Sequence, residues 1–187
     1  MWSPRRRRGR PKLRSVDSGR AIGAVWGSIK GMTANDPISA IENLIVDCAH
    51  DIDDDNLEAW PDYFAEDAVY QIIPRRSFDQ DLPLGVLYCE GKGMMIDRIE
   101  ALRTANIFEP HTHCHLLSQP SIKETGEGYK VRTNFNVVRT MQDGGMEIYA
   151  VGKFLDAIVF ENGKPLFQDR RVVLESHRVD ILLVVPL

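Results

Sequence analysis

Apolar residues recur at helical spacing near the start of the chain and give way to strict alternation past Pro110. Ile38, Ile41, Leu44, Ile45, Cys48, Ala49 and Ile52 fall three or four apart, which lines one face of a helix. Asp36 is placed to cap that helix and Pro37 suits its first position. The run Asp51-Ile52-Asp53-Asp54-Asp55-Asn56 ends it and can cap the next; lacking the Gly and distal Glu of a calcium loop, it reads as a solvated turn. A second, shorter helix is expected over Leu57 to Tyr63 or Phe64, and Trp60, Tyr63, Phe64 and Tyr70 read as core aromatics. Ala68 to Pro74 reads as a strand, Arg75 to Pro83 as a polar connection, and Leu84 to Glu90 as a second extended piece. A helix follows over Met94 to Asn106, with Met95, Ile99 and Leu102 on one side and Glu100 at pairing distance from Arg103.

Beyond Pro110 the period is two. Strands are expected near His113–Lys123, Tyr129–Met141, Met146–Phe160 and Pro165–Arg178. Gly126-Glu127-Gly128, Asp143-Gly144-Gly145 and Asn162-Gly163 supply the turns between them. On the longest apolar alternation, Val131, Thr133, Phe135, Val137 and Met141 share one face with Arg139 intruding, and Arg132, Asn134, Asn136 and Thr140 take the other. Successive hairpins imply an antiparallel meander, and a strongly twisted sheet curls so that the N-terminal helices can close its concave side. The fold class is therefore α+β: N-terminal helices packed into the concave side of a strongly curved, mostly antiparallel sheet.

Charge divides the chain. Residues 1–31 hold nine Lys/Arg against the single acid Asp17, whereas residues 32–187 hold fourteen against twenty-six Asp/Glu. The first stretch reads as a disordered basic extension, because Arg5-Arg6-Arg7-Arg8-Gly9-Arg10-Pro11-Lys12 has no amphipathic pattern. Its Arg8-Gly9-Arg10-Pro11 core also resembles an AT-hook, which would reach into a narrow A·T minor groove. Residues 32–187 read as one domain whose acidity disfavours nucleic acid. Three scattered cysteines, Cys48, Cys89 and Cys114, suit a reducing compartment and partly buried packing roles, so the chain reads as cytoplasmic. No apolar run nears the ~20 residues of a membrane-spanning helix.

Two constellations could carry chemistry. His111, His113 and His115 would share one strand face, but Cβ atoms four residues apart lie roughly 13 Å from each other, too far for one ion. Only neighbouring pairs could share a metal, even with Glu109 nearby. Acid–base chemistry in a curved-sheet pocket would draw on Asp97, His115, Asp156, Asp169 and His177. No nucleophile elbow, phosphate loop or dinucleotide fingerprint is present.

Four segments, taken in order, resemble one family. They are Trp60-Pro61 through Tyr70-Gln71-Ile72-Ile73-Pro74-Arg75; Asp97-Arg98-Ile99-Glu100-Ala101-Leu102-Arg103 through Glu109; His111 to Pro120; and Arg170-Arg171-Val172-Val173-Leu174-Glu175, followed by Pro186-Leu187. Together they resemble the beta (small) subunit of aromatic-ring-hydroxylating dioxygenases, nearest the branch acting on terephthalate, anthranilate or salicylate. The resemblance implies a cone-like fold of the nuclear-transport-factor-2 type. It also implies a catalytic alpha subunit as partner, self-association into a trimer and a mixed hexamer. The Rieske [2Fe–2S] cluster and the mononuclear iron would then lie on the alpha subunit, with no catalytic, cofactor or metal residue on this chain. Cys48-Ala49-His50 imitates half of a Rieske motif, but no Cys-x-x-His follows. Arg98, Arg103, His115, Arg170 and Arg171 match the family's segments and are the candidates for pairing with the alpha subunit or bracing the loops that face it. The alternative is a stand-alone dehydratase or isomerase of the same fold, acting on a small apolar substrate.

Overall fold

In the computed structural model, residues 36–82, 85–104, 109–176 and 185–187 are described. The basic segment 1–31, with its AT-hook resemblance, and His177 lie outside them. Helix α1 spans Pro37–Asp53, and Asp36 caps it by accepting from the Ile38 N–H at 3.1 Å. Its buried residues, Ile41, Leu44, Ile45, Cys48, Ala49 and Ile52, are the apolar stripe read from spacing except for Ile38, which stays exposed in the first turn. A 3-10 turn at Trp60–Tyr63 replaces the second helix expected from Leu57. Pro61 supplies no N–H and fits the first position of that turn, which is over within four residues.

Strand β1 spans Phe64–Pro74 and is followed by a short helix α2, Arg75–Asp79, where a polar connection was expected. Strand β2 (Leu87–Glu90) leads into helix α3 (Gly91–Thr104), which begins three residues earlier than its apolar pattern suggests. The strand expected over His113–Lys123 is two strands, β3 (His111–Leu117) and β4 (Ser121–Thr125). Pro120 falls between them, and its missing N–H suits a break in the ladder. The long strands β5 (Gly128–Met141), β6 (Met146–Glu161) and β7 (Lys164–Leu174) form the meander.

The sheet order is β2-β1-β7-β6-β5-β3, with β4 also pairing β5. One relationship escaped the sequence pattern: β1 pairs parallel to β7, matching Tyr70 to Arg170 and Ile72 to Val172. All other pairings are antiparallel. Register breaks at Val137/Val138 and Ala157/Ile158 mark irregularities of the bulge kind, which bend strands and sharpen twist. At Gly152 a Cβ would sit 2.3 Å from the Val173 carbonyl oxygen, so only glycine lets β6 approach β7 that closely.

The α1 stripe and the 3-10 turn fill the inner face. Val131, Thr133, Phe135 and Val137 of β5 are buried there, as the alternation implied, while Arg132 and Asn134 face outward. Trp60, Phe64 and Tyr70 meet edge to face, with ring centroids 4.9–5.9 Å apart. The Tyr70 hydroxyl donates to the Leu187 carbonyl at 3.1 Å and accepts from the Leu187 N–H at 2.9 Å, fastening this residue over β1.

Candidate functional site

The inner face of the sheet carries two polar constellations. The deeper one centres on Arg170 of β7, 1% exposed, with Asp156 beside it on β6. The guanidinium donates from Nε to Asp156 Oδ1 at 3.0 Å and from Nη2 to Oδ2 at 3.3 Å. Its flat faces meet the rings of Phe154 and Phe167, 4.3 and 4.0 Å from their centroids. A third donor, Nη1, points at Cys48 Sγ on α1, 3.4 Å away. Burial disfavours both charges and pushes the Asp156 carboxyl up, while the facing carboxylate holds the proton on Arg170. Burial pushes the Cys48 thiol up to about 11, so that sulfur is an inert packing group.

The second constellation joins the end of α1 to β3. His115 donates its backbone N–H to Asp53 Oδ2 at 2.7 Å, and its Nδ1 lies 2.6 Å from Asp53 Oδ1. Burial works against ionising Asp53, yet these hydrogen bonds and the nearby imidazoles outweigh it and hold the carboxyl below its ordinary range. His113 stacks on Tyr149 with centroids 5.0 Å apart, and Arg139 lies over the same tyrosine ring. Burial first, then the neighbouring His111 and His115, drive His113 down to about 4. His111 instead places Nδ1 2.7 Å from the Glu109 carbonyl. A cleft of about 570 Å³ opens here between Asp53, Asp55, Arg103, His111 and His113.

The aspartate run after α1 is therefore more than a solvated turn. Asp53 takes His115, while Asp55 and Glu58 both take Arg103, at 2.8 Å each. Arg103 was expected to pair with Glu100 along its own helix; the fold offers it two carboxylates from another segment instead.

The acid–base candidates do not converge. Asp156 is bound to Arg170 in the interior, Asp169 pairs with Arg171 near the outer face, and Asp97 is exposed on α3. His115 already belongs to Asp53. The three imidazoles are likewise committed to different neighbours. Among the described residues no group of three or more His, Cys, Asp or Glu is placed to hold a metal ion. Cys48 cannot serve a Rieske cluster: it is wholly buried against Arg170, while His50 is exposed on the same helix. Of the remaining candidates, Arg98 is half-buried on α3, close enough to Cys89 for its charge to act on that thiol, and Arg171 is about half exposed. His115 and Arg170 have almost no exposed side-chain surface and act as braces inside this chain. The Asp53–His115 contact had only a weak sequence signal, an acid at a helix end and a histidine on a strand 62 positions later.

A curved sheet whose inner face is closed by one amphipathic helix and a buried ion pair defines a small α+β subunit of the nuclear-transport-factor-2-like type. Residues 49–180 match the ring hydroxylating beta subunit family, and the chain belongs to it. The small subunit of anthranilate 1,2-dioxygenase from Burkholderia cepacia is 36% identical over 137 residues, covering 73% of this chain and 85% of that protein. The beta 2 subunit of the terminal oxygenase component of terephthalate 1,2-dioxygenase from Comamonas sp. is 37% identical over 141 residues, 74% of this chain and 91% of that one. A crystal structure assigned as an aromatic-ring-hydroxylating dioxygenase beta subunit from Novosphingobium aromaticivorans superposes with a TM-score of 0.73. It shares 35% identity and covers 80% of this chain and 95% of that one. No helix among the described residues is long and apolar enough to cross a membrane.

Proposed function

We propose that this chain is the structural small subunit of a Rieske-type dioxygenase that hydroxylates an aromatic carboxylate. The observation that carries this reading is that the buried acids of the inner face are taken by partners within the chain, Asp156 by Arg170 and Asp53, beside the cleft, by His115. In a catalytic member of such a fold, the concave side would need an open pocket with a free acid and base. Here Arg170, Asp156, Phe154 and Phe167 fill the deeper part of that side with 4% exposure or less, and the only acid among them is paired with its neighbour. The same observation disfavours the dehydratase or isomerase alternative.

The Rieske [2Fe–2S] cluster, the mononuclear iron and the substrate pocket then belong to the alpha subunit, in a cytoplasmic assembly of three small and three large subunits. Residues 1–31 add a basic extension to this single domain. Arg98, Arg103 and Arg171 retain surface with which to meet the alpha subunit, and His115 and Arg170 brace the elements behind them. The carboxylate preference is drawn from the anthranilate and terephthalate relatives. The test is co-expression with the large subunit of a terephthalate- or anthranilate-type dioxygenase, recognised by its Cys-x-His and Cys-x-x-His pairs. A stable complex that hydroxylates a benzoate-type ring supports the reading. A chain that never binds such a subunit, or that turns over substrate by itself, refutes it.

A further inference from the structure

The outer face of the sheet holds a basic groove of about 530 Å³, lined by Lys123, Lys130, Arg132 and Arg171. Strand register explains why these four converge. Lys123 of β4 stands directly opposite Lys130 of β5. Arg132, two residues along β5, is aligned through Leu155 with Arg171 of β7, and Lys130 is aligned through Ala157 with Asp169. Neighbouring residues on a strand point to opposite faces, so these cations turn outward where Val131, Asp156 and Arg170 turn into the core. Leu155 and Ala157, both half-buried, lie between the cations, and Phe78 of α2 lines the same groove.

Charge sets the groove apart from an ordinary solvated surface. Residues 32–187 carry a large acidic excess, yet here four cations face one outward carboxylate, Asp169, which Arg171 already holds. Asp156 also borders the groove, but its carboxylate is bound to Arg170 beneath. Glu175 acts on Arg132 from one side, while its hydrogen bond goes to Arg75. Arg132 itself donates to the neutral Asn134 Oδ1 at 3.3 Å. Like charges directly opposite on paired strands are destabilising, and nothing in the fold compensates Lys123 against Lys130. A local rule broken without a structural gain points to binding. The lysine row and the arginine row stand about 7 Å apart, two residues along a strand. That separation suits one ring with an acidic group at each end, its flat body over Leu155 and Ala157 and beside Phe78. We propose that this groove binds a flat aromatic dianion, with one acid group at Lys123 and Lys130 and the other at Arg132. A guanidinium fork can take a carboxylate through two parallel hydrogen bonds, which fixes the orientation of the ring. The inference goes beyond the functional reading above and does not depend on it.

The experiment is isothermal titration calorimetry of the full chain with terephthalate, a ring bearing carboxylates at opposite ends. Two controls divide its features: p-xylylene glycol has the same shape without charge, and inorganic phosphate has the charge without the ring. One terephthalate per chain is expected, with both controls at least about ten-fold weaker and affinity falling as salt is raised. Lys130→Gln and Arg132→Gln should each weaken terephthalate at least about five-fold. Lys130→Gln also removes the repulsion from Lys123, so it should melt no lower than the wild type. A merely structural lysine would do the reverse, lowering the melting temperature and leaving binding alone. The absence of saturable terephthalate binding overturns the proposal. So does equal affinity for either control, because the groove then reads only shape or only charge. Unchanged binding by both variants overturns it by placing the ligand elsewhere. Terephthalate affinity that weakens when the chain is made about ten-fold more concentrated overturns it too, since a second copy then occupies the groove.

Discussion

Asp53 and His115, 62 positions apart, meet through two contacts: the His115 backbone N–H reaches one carboxylate oxygen at 2.7 Å and Nδ1 lies 2.6 Å from the other. This clamp ties the last turn of α1 to β3, which lies at one end of the sheet path. Edge strands pair on one side only, so a side-chain tether contributes more there than in the middle of the sheet. Asp53→Asn and His115→Ala should each lower stability by about 1–3 kcal/mol, the usual cost of stranding a partly buried polar group. Urea unfolding monitored by circular dichroism measures it. The double variant should cost less than the sum of the singles, because the two act as one unit.

His113 makes stability depend on pH. Folded, its imidazole is driven down to about 4; unfolded, it titrates near its ordinary 6.5. As pH falls the unfolded chain takes its proton first, so the stabilisation is present above about 6.5 and is lost on the way down to about 4. At ~1.4 kcal/mol per pKa unit the loss is at most about 3.5 kcal/mol, and less for a ring that is partly solvated. The charged or titratable groups acting on it are His111, His115, Asp53 and Arg139. Asp53, held low, contributes its own loss only at still lower pH. His113→Asn should flatten the stability curve between pH 6.5 and 4 and leave the more acidic limb in place.

The buried ion pair should behave asymmetrically. Arg170→Met alone strands Asp156 in the interior and should cost about 3–5 kcal/mol. Replacing both, as Arg170→Met with Asp156→Leu, restores an uncharged interior between Phe154 and Phe167 and should recover most of that loss. Chemical denaturation of the two variants decides it; equal loss in both would mean that the pair is net stabilising against an apolar replacement.

Thiol reactivity should separate the cysteines. Burial pushes Cys48 up to about 11 and also raises Cys89, whereas Cys114 is exposed. Native chain alone should release one equivalent of thionitrobenzoate quickly with Ellman's reagent, and three after denaturation. Cys114→Ser should abolish the fast equivalent.

Local signals in the sequence foretold much of this fold. The α1 stripe from Ile41 onward, its Asp36 cap and the β5 alternation depend on neighbours a few residues away, and each is present as read; Ile38, in the first turn, stays exposed. Two elements were misread because stronger constraints act on them. Pro61 and the aromatic packing around Trp60 favour a 3-10 turn over a helix, and Pro120 splits one long strand into two. Long-range relationships left no such trace. The parallel β1–β7 pairing, the Asp53–His115 clamp and the Arg103 bridge to Asp55 and Glu58 join segments that only the folded domain brings together. Arg170 and Arg171, adjacent in sequence, look interchangeable, yet alternation sends one into the core and the other toward the outer face.

The central claim is that this chain supports an oxygenase without carrying its chemistry. Iron content and aromatic hydroxylation, measured side by side on the isolated chain and on its complex with the large subunit, test it most directly. The account predicts iron and turnover in the complex, and neither in the chain alone. Stoichiometric iron bound to the isolated chain, or ring hydroxylation by it, would contradict the account.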